Sequence, residues 1–163
     1  MLVLLLTAPL WAACVGGYSF TGASIPADAK TLSLKPFPNY ATTVNPQLSQ
    51  KLYDALHTLY ESQTRLSVTN NDGDLQVSGE ITSYATQASS LSSDDNVATN
   101  RLTITIKVKF VNLINPADDF EQTFSRYKDY DATRDFSAVE SALVEEIVTE
   151  LSEDIFNKTV VNW

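Results

Sequence analysis

Between Arg101 and Phe110, apolar and polar positions alternate without a break. Leu102, Ile104, Ile106, Val108 and Phe110 fall on one side, and Arg101, Thr103, Thr105, Lys107 and Lys109 on the other. Successive strand side chains point to opposite faces, so the pattern predicts a half-buried β-strand with one apolar and one polar, cationic face. Its β-branched content suits a pleated surface, and its length is above the common strand length. It reads as the central strand of a sheet.

The flanking patterns supply the rest of that sheet and its cover. Thr31–Pro36 alternates briefly with Leu32 and Leu34 inward, and Pro36 ends it, which predicts a short first strand. Asn45-Pro46 is a helix start, with Asn at the cap and Pro at the first helical position. Leu48, Leu52, Ala55, Leu56 and Leu59 then recur at helical spacing to about Ser62. Asn70-Asn-Asp-Gly73 is turn chemistry. Leu75, Val77, Gly79 and Ile81 form the inward side of a second strand, with Gln76, Ser78, Glu80 and Thr82 outward. Gln87–Asn100, rich in Ser, Asp and Asn, is expected to be an exposed, mobile loop.

After the long strand, Asn115–Asp119 makes a turn. Phe120 and Phe124 mark a fourth strand to about Tyr130, antiparallel to the third. Ser137-Ala-Val-Glu140 has the spacing of a capping box. Val139, Leu143, Ile147, Leu151 and Ile155 follow as an i, i+4 stripe of some twenty residues, with Val144 and Val148 beside it. The order is therefore β-α-β-β-β-α, an α+β two-layer sandwich. Its sheet is four-stranded and mostly antiparallel or mixed, and two α-helices lie on one face. The opposite face, carrying Lys107 and Lys109, is left uncovered.

Composition narrows the function classes. The 163 residues suit one domain with a substantial core, and 44% of them are hydrophobic, with only five glycines. A net charge of −9, from 20 acids against 11 bases, argues against a nucleic-acid partner. The charge is unevenly spread. Glu140, Glu145, Glu146, Glu150, Glu153 and Asp154 gather on the last helix, whereas residues 101–109 carry three bases and no acid.

The single cysteine, Cys14, forbids an intramolecular disulfide. Its position is more informative. Met1–Ala13 is an apolar run of signal-peptide length ending in Ala12-Ala13, too short for a membrane-spanning helix, which needs ~20 residues. Ala12-Ala13-Cys14 resembles the lipobox of bacterial lipoproteins, although Trp11 replaces the usual medium-sized residue and no Lys or Arg precedes the run. The alternatives are an ordinary secretory signal with a chance cysteine, or a buried apolar strand. On the lipoprotein reading, residues 1–13 are the signal peptide, 14–29 a tether and lead-in, and 30–163 a single domain. Multiple acyl chains on Cys14 then hold that domain at a membrane. By the same resemblance, Val15 rather than Asp after the cysteine implies transport to the outer membrane.

Nothing in the chain spells catalysis. His57 sits alone on the first helix, and no second His or Cys completes a zinc site. Gly16-Gly17 follows no strand and is no phosphate loop. Asp94-Asp95, Asp118-Asp119 and Asp129/Asp131 lie at turns without calcium-loop spacing. The expectation is no enzyme, no metal and no cofactor. The basic strand face is the better candidate site. Either Lys107, Lys109 and Arg101 make cross-strand ion pairs, for instance with Glu80, or they form an anion-binding face for phosphates or acidic sugars. Arg126 and Lys128 on the next strand extend the patch only if they share its face. Strict alternation from Phe120 and Phe124 would turn them to the helix side.

Together, the lipobox cysteine, Tyr18-Ser-Phe-Thr-Gly-Ala-Ser-Ile-Pro26, the strand Asn100–Phe110, Phe120-Glu-Gln-Thr-Phe-Ser-Arg-Tyr127 and Asp154–Trp163 resemble the LptE family of lipopolysaccharide-assembly lipoproteins. The resemblance covers almost the whole chain and implies a four-stranded sheet with two helices on one side. It further implies an outer-membrane lipoprotein that plugs an LptD-like β-barrel, supports its assembly and helps pass lipopolysaccharide outward. Arg101, Lys107, Lys109, Arg126 and Lys128 are the lipopolysaccharide-binding candidates on this reading. The alternative is a lipid-tethered periplasmic scaffold or pilotin of another envelope complex.

Overall fold

The computed structural model describes residues 25–89 and 98–160. The signal segment, Cys14, most of the tether, Asp94-Asp95 and residues 161–163 lie outside the described residues.

Among the described residues, five strands form one sheet: β1 (Thr31–Leu34), β2 (Ser67–Thr69), β3 (Leu75–Ser89), β4 (Thr99–Asn112) and β5 (Phe120–Asp131). Their spatial order is β2-β1-β3-β4-β5. Two helices complete the fold, α1 (Leu48–Gln63) and α2 (Phe136–Val160). β1 runs parallel to both β2 and β3, so the β1-α1-β2 stretch is a parallel crossover carried by a helix. β3, β4 and β5 are antiparallel neighbours. The α+β two-layer class stands, and the sheet is mixed, as expected. The strand count is five instead of four. β2 escapes sequence patterning because, at three residues, it is too short to show an alternation.

β4 is the middle of the antiparallel part, and its two faces differ completely. Leu102, Ile104, Ile106, Val108 and Phe110 are wholly buried beneath the helices. They share one core with Leu48, Leu52, Leu56 and Tyr60 of α1 and with Val144, Ile147, Leu151 and Ile155 of α2. The two helices also meet directly. Tyr60 packs against Phe156 with ring centroids 5.3 Å apart, and its hydroxyl lies 2.6 Å from Thr159 Oγ1 inside the core.

Gly79 is the one β3 position on the inward side without a side chain. A Cβ there would stand 2.3 Å from the Lys107 carbonyl oxygen and 2.7 Å from the Phe37 ring. The glycine thus seats Phe37, which is fully buried just after β1.

Local details depart from the sequence patterns for physical reasons. A β-bulge lies between Ile81 and Ser83, where Thr82 is the extra residue. It shifts the inward parity, so Tyr84 follows Ile81 into the core. β3 then continues to Ser89 and β4 begins at Thr99, so Gln87–Ser89 and Thr99–Asn100 are strand, not loop.

The predicted Ser137/Glu140 capping box is not formed. Asp135 begins α2, its side-chain oxygen accepting from the Ser137 N–H at 3.1 Å and its carbonyl from the Ala138 N–H at 3.1 Å. Glu140 instead accepts from the Tyr84 hydroxyl at 2.5 Å and from Asn45 Nδ2 at 2.8 Å. One carboxylate thereby ties the start of α2 to β3 and to the entrance of α1. Asn45 turns the chain into α1, accepting the Gln47 N–H at 3.0 Å, but the cap position falls on Gln47 instead of Asn45, and the helix proper starts at Leu48 instead of Pro46. At 25 residues α2 is longer than its apolar stripe suggested.

Candidate functional site

The outward face of β4 lines up Arg101, Thr103, Thr105, Lys107 and Lys109. Register places Gln87, Ala85, Ser83, Glu80 and Ser78 on one flank and Asp129, Tyr127, Ser125, Thr123 and Glu121 on the other. No helix covers this face among the described residues. It is a polar surface of hydroxyls, amides and charges, including a Thr105–Ser125 hydroxyl pair at 2.9 Å.

The three cations on this face differ in how they are held. Arg101 makes a two-pronged bond to Asp129, at 2.7 Å from Nε and 2.9 Å from the guanidinium terminus. Its guanidinium carbon also sits 3.7 Å from the centre of the Tyr127 ring, a cation–π stack. Asp129 raises the Arg101 pKa, and Arg101 in turn holds Asp129 below the ordinary carboxylate range. Lys107 pairs with Glu121 at 2.6 Å, diagonally across the strands, and that bond raises its pKa, with a weaker contribution from Glu80. Lys109, the most exposed of the three, makes no ion pair among the described residues. A shallow depression of about 300 Å³ lies here, lined by Ser78, Gly79, Glu80, Lys107, Lys109 and Glu121.

Arg126 and Lys128 are not part of this face. Register sets them opposite Ile104 and Leu102, whose side chains point to the helices. Arg126 forks onto Asp154 at 2.6 and 2.7 Å. Lys128 reaches Glu150 at 2.7 Å and Glu146 at 3.3 Å. Both cations are pushed up in pKa by these α2 carboxylates. The five sequence candidates therefore divide into an open-face set of three and a helix-bound set of two.

Sequence reasoning named the bases and missed their neighbours. Glu121, Tyr127 and Asp129 belong to the same open face, and the period-two row Glu121, Thr123, Ser125, Tyr127, Asp129 was the available signal. Tyr127 is 51% exposed, the one large ring standing on this surface among the described residues. The predicted cross-strand pairing is present, with Glu121 and Asp129 rather than Glu80 as the direct partners.

The remaining candidates have structural roles. His57 is half-buried on α1, with Nδ1 3.4 Å from Glu61. Asp118 and Asp119 accept hydrogen bonds from Asn112. Asp131 accepts from the Thr133 N–H and hydroxyl. Among the described residues no group of three or more His, Cys, Asp or Glu side chains is placed to hold a metal ion. No helix among them is long and apolar enough to cross a membrane.

Comparison with known proteins bears on this geometry. The family model LptE, described as lipopolysaccharide-assembly, matches residues 29–159. No curated protein matches the chain. A minor lipoprotein from Acinetobacter baumannii shares the fold at 15% identity and TM-score 0.53, the match covering 80% of this chain and 91% of that one. A protein from Xanthomonas campestris does so at 11% identity and TM-score 0.56, covering 82% and 85%. A hypothetical protein from Chlamydia trachomatis gives 9% identity and TM-score 0.53, covering 80% and 95%.

Proposed function

Because the chain belongs to the LptE lipopolysaccharide-assembly family, we propose that it is an outer-membrane lipoprotein anchored through Cys14, with residues 1–13 as signal, 14–29 as tether and 30–163 as the working domain. It seats within an LptD-like β-barrel and contacts lipopolysaccharide through the open sheet face. The observation that carries this reading is that face itself: a β3-β4-β5 surface of hydroxyls, amides and charges, uncovered among the described residues and backed along β4 by a wholly buried apolar row. Barrel lumens are polar, so a domain lodged in one needs such an exterior.

Arg101, Lys107 and Lys109 are the anion-binding groups. Lys109 offers its ammonium directly, and Lys107 exchanges Glu121 for a phosphate. Arg101 is held rigid by Asp129 and Tyr127 and presents a planar donor beside an aromatic ring. Arg126 and Lys128 bind α2 instead and take no direct part.

The test has two arms. Lipopolysaccharide binding by a Lys107→Glu/Lys109→Glu variant should weaken roughly tenfold or more for each charge-assisted hydrogen bond that the reversal abolishes. Its unfolding midpoint should stay nearly unchanged; unaltered binding removes the open face from the reading. Purification from detergent-solubilised outer membrane should bring down a large β-barrel protein. Recovery with a different envelope complex would instead make the protein a tethered scaffold or pilotin.

A further inference from the structure

We propose that the turn after β4, which displays Leu113 and Ile114, is a second membrane contact that dips into the lipid surface beside the Cys14 anchor. The proposal rests on the reading of Cys14 as lipidated.

The turn is a built object. Asn112 is fully buried, and its side-chain oxygen accepts the N–H groups of Ile114 and Asn115, both at 3.0 Å. Its Nδ2 donates to Asp118 at 2.9 Å, and its backbone N–H donates to Asp119 at 2.7 Å. Asn115 Nδ2 adds a bond to Asp118 at 3.0 Å. The polar groups at the turn's root are thus satisfied inward. What faces out is Leu113 at 58% exposure and Ile114 at 39%, followed by exposed Pro116 and Ala117. Scattered surface aliphatics need no explanation. Two adjacent ones, held out by a buried asparagine, are a different matter.

The occupant follows from where the chain enters the fold. The Asp74 carboxylate accepts the backbone N–H groups of Lys30 and Thr31 at 2.9 and 3.0 Å and the Thr31 hydroxyl at 2.9 Å. The Asp74 carbonyl accepts the Leu113 N–H at 2.9 Å. One residue therefore grips both the incoming tether and the root of the apolar turn. Only residues 15–24 separate Cys14 from the first described residue, a path of at most about 40 Å fully extended. An acylated Cys14 keeps residue 25, where the chain enters the fold, within that distance of the lipid, and two aliphatic side chains gain by entering the boundary between headgroups and acyl chains. The acids at the base, Asp74, Asp118 and Asp119, favour a zwitterionic over an anionic surface.

The test uses the full acylated protein in phosphatidylethanolamine vesicles doped with brominated lipid. Tryptophan is introduced as Leu113→Trp, with Ile114→Trp as a second variant should the first unfold. Tyr40→Trp, 70% exposed and held beside Ile81 at the middle of β3, away from the turn, is the control. Emission is read against the unsubstituted protein. Quenching at least twofold stronger at position 113 than at 40, and weaker in phosphatidylglycerol vesicles, is the expected result. Equal or absent quenching overturns the proposal, as does shielding of position 113 from lipid by a protein partner. Mass spectrometry of the same preparation separates the two ideas. An unacylated Cys14 refutes the anchor, whereas an acylated protein without quenching refutes the turn alone.

Discussion

The two faces of β4 carry the same number of side chains and do opposite things. On the helix side, five apolar residues are wholly buried and make the fold. On the open side, five polar residues hold three cations, two of them already paired to carboxylates of β5, and stability there is a minor concern. The contrast teaches that a strand's alternation specifies a core and a surface at once. Only the surface half is free to vary with function.

The largest expected effect is on the buried side. Ile106→Ala removes buried methyl groups from beneath two helices and should cost about 2–5 kcal/mol. Its immediate neighbour in sequence, Thr105→Ala, should stay within about 0.5 kcal/mol. Urea denaturation of both variants, at unchanged slope, checks the pair. A Thr105 loss as large as that of Ile106 would mean that the open face is covered in the isolated protein, and the contrast would collapse.

Two hydroxyl pairs sharpen the same comparison. Tyr60 and Thr159 meet inside the helix layer at 2.6 Å, and Thr105 and Ser125 meet on the open face at 2.9 Å. Thr159 also donates to helix carbonyls of α2, so Tyr60→Phe deprives it of one partner and not of all. The expected cost is about 1–2 kcal/mol, against almost nothing for Ser125→Ala, where water replaces the partner.

Burial pushes the Tyr60 phenol well above the ordinary tyrosine value of 10.0. The folded state therefore keeps a proton that the unfolded chain releases. That contribution is fully present below about pH 10 and falls away as pH rises beyond it. Tyr60→Phe should flatten this alkaline decline. Tyr84, raised by burial and by its bond to Glu140, sustains the remainder. An unchanged alkaline profile would show that the phenol reaches solvent.

Why some of this was legible in the sequence and some not follows from the range of the interactions involved. β4, α1 and α2 announce themselves because each buries one face continuously, so periodicity alone reports it. β2 is too short for any period, and of its three residues only Val68 packs against the core. The bulge at Thr82 looks like ordinary alternation until register with Thr105 and Ile106 exposes the extra residue. Glu140 matched a capping box by spacing, yet its partners Tyr84 and Asn45 lie 56 and 95 residues away. The cations of the open face were visible one strand at a time. Their carboxylates were not, because pairing depends on the β4–β5 register. For Arg126 and Lys128 the parity from Phe124 pointed to the helix side, and there they are.

The smallest effect concerns that helix-side pair. Glu146, Glu150 and Asp154 stand at successive i, i+4 positions of α2, a spacing at which like charges repel along a helix. Lys128 lies against the first two and Arg126 against the third, so β5 supplies the bases that α2 lacks. All five groups are substantially exposed, so water and salt screen the attraction. An Arg126→Gln/Lys128→Gln variant should therefore lose a little stability at low ionic strength. In ~1 M salt, where the screening length is about 3 Å, the loss should vanish. Lipopolysaccharide affinity should stay at the wild-type level throughout, because these side chains serve α2 and the open face serves the ligand. If this variant instead weakens binding as much as charge reversal at Lys107 and Lys109, the ligand reads the edge and helix side of β5, and the functional division between the two faces fails.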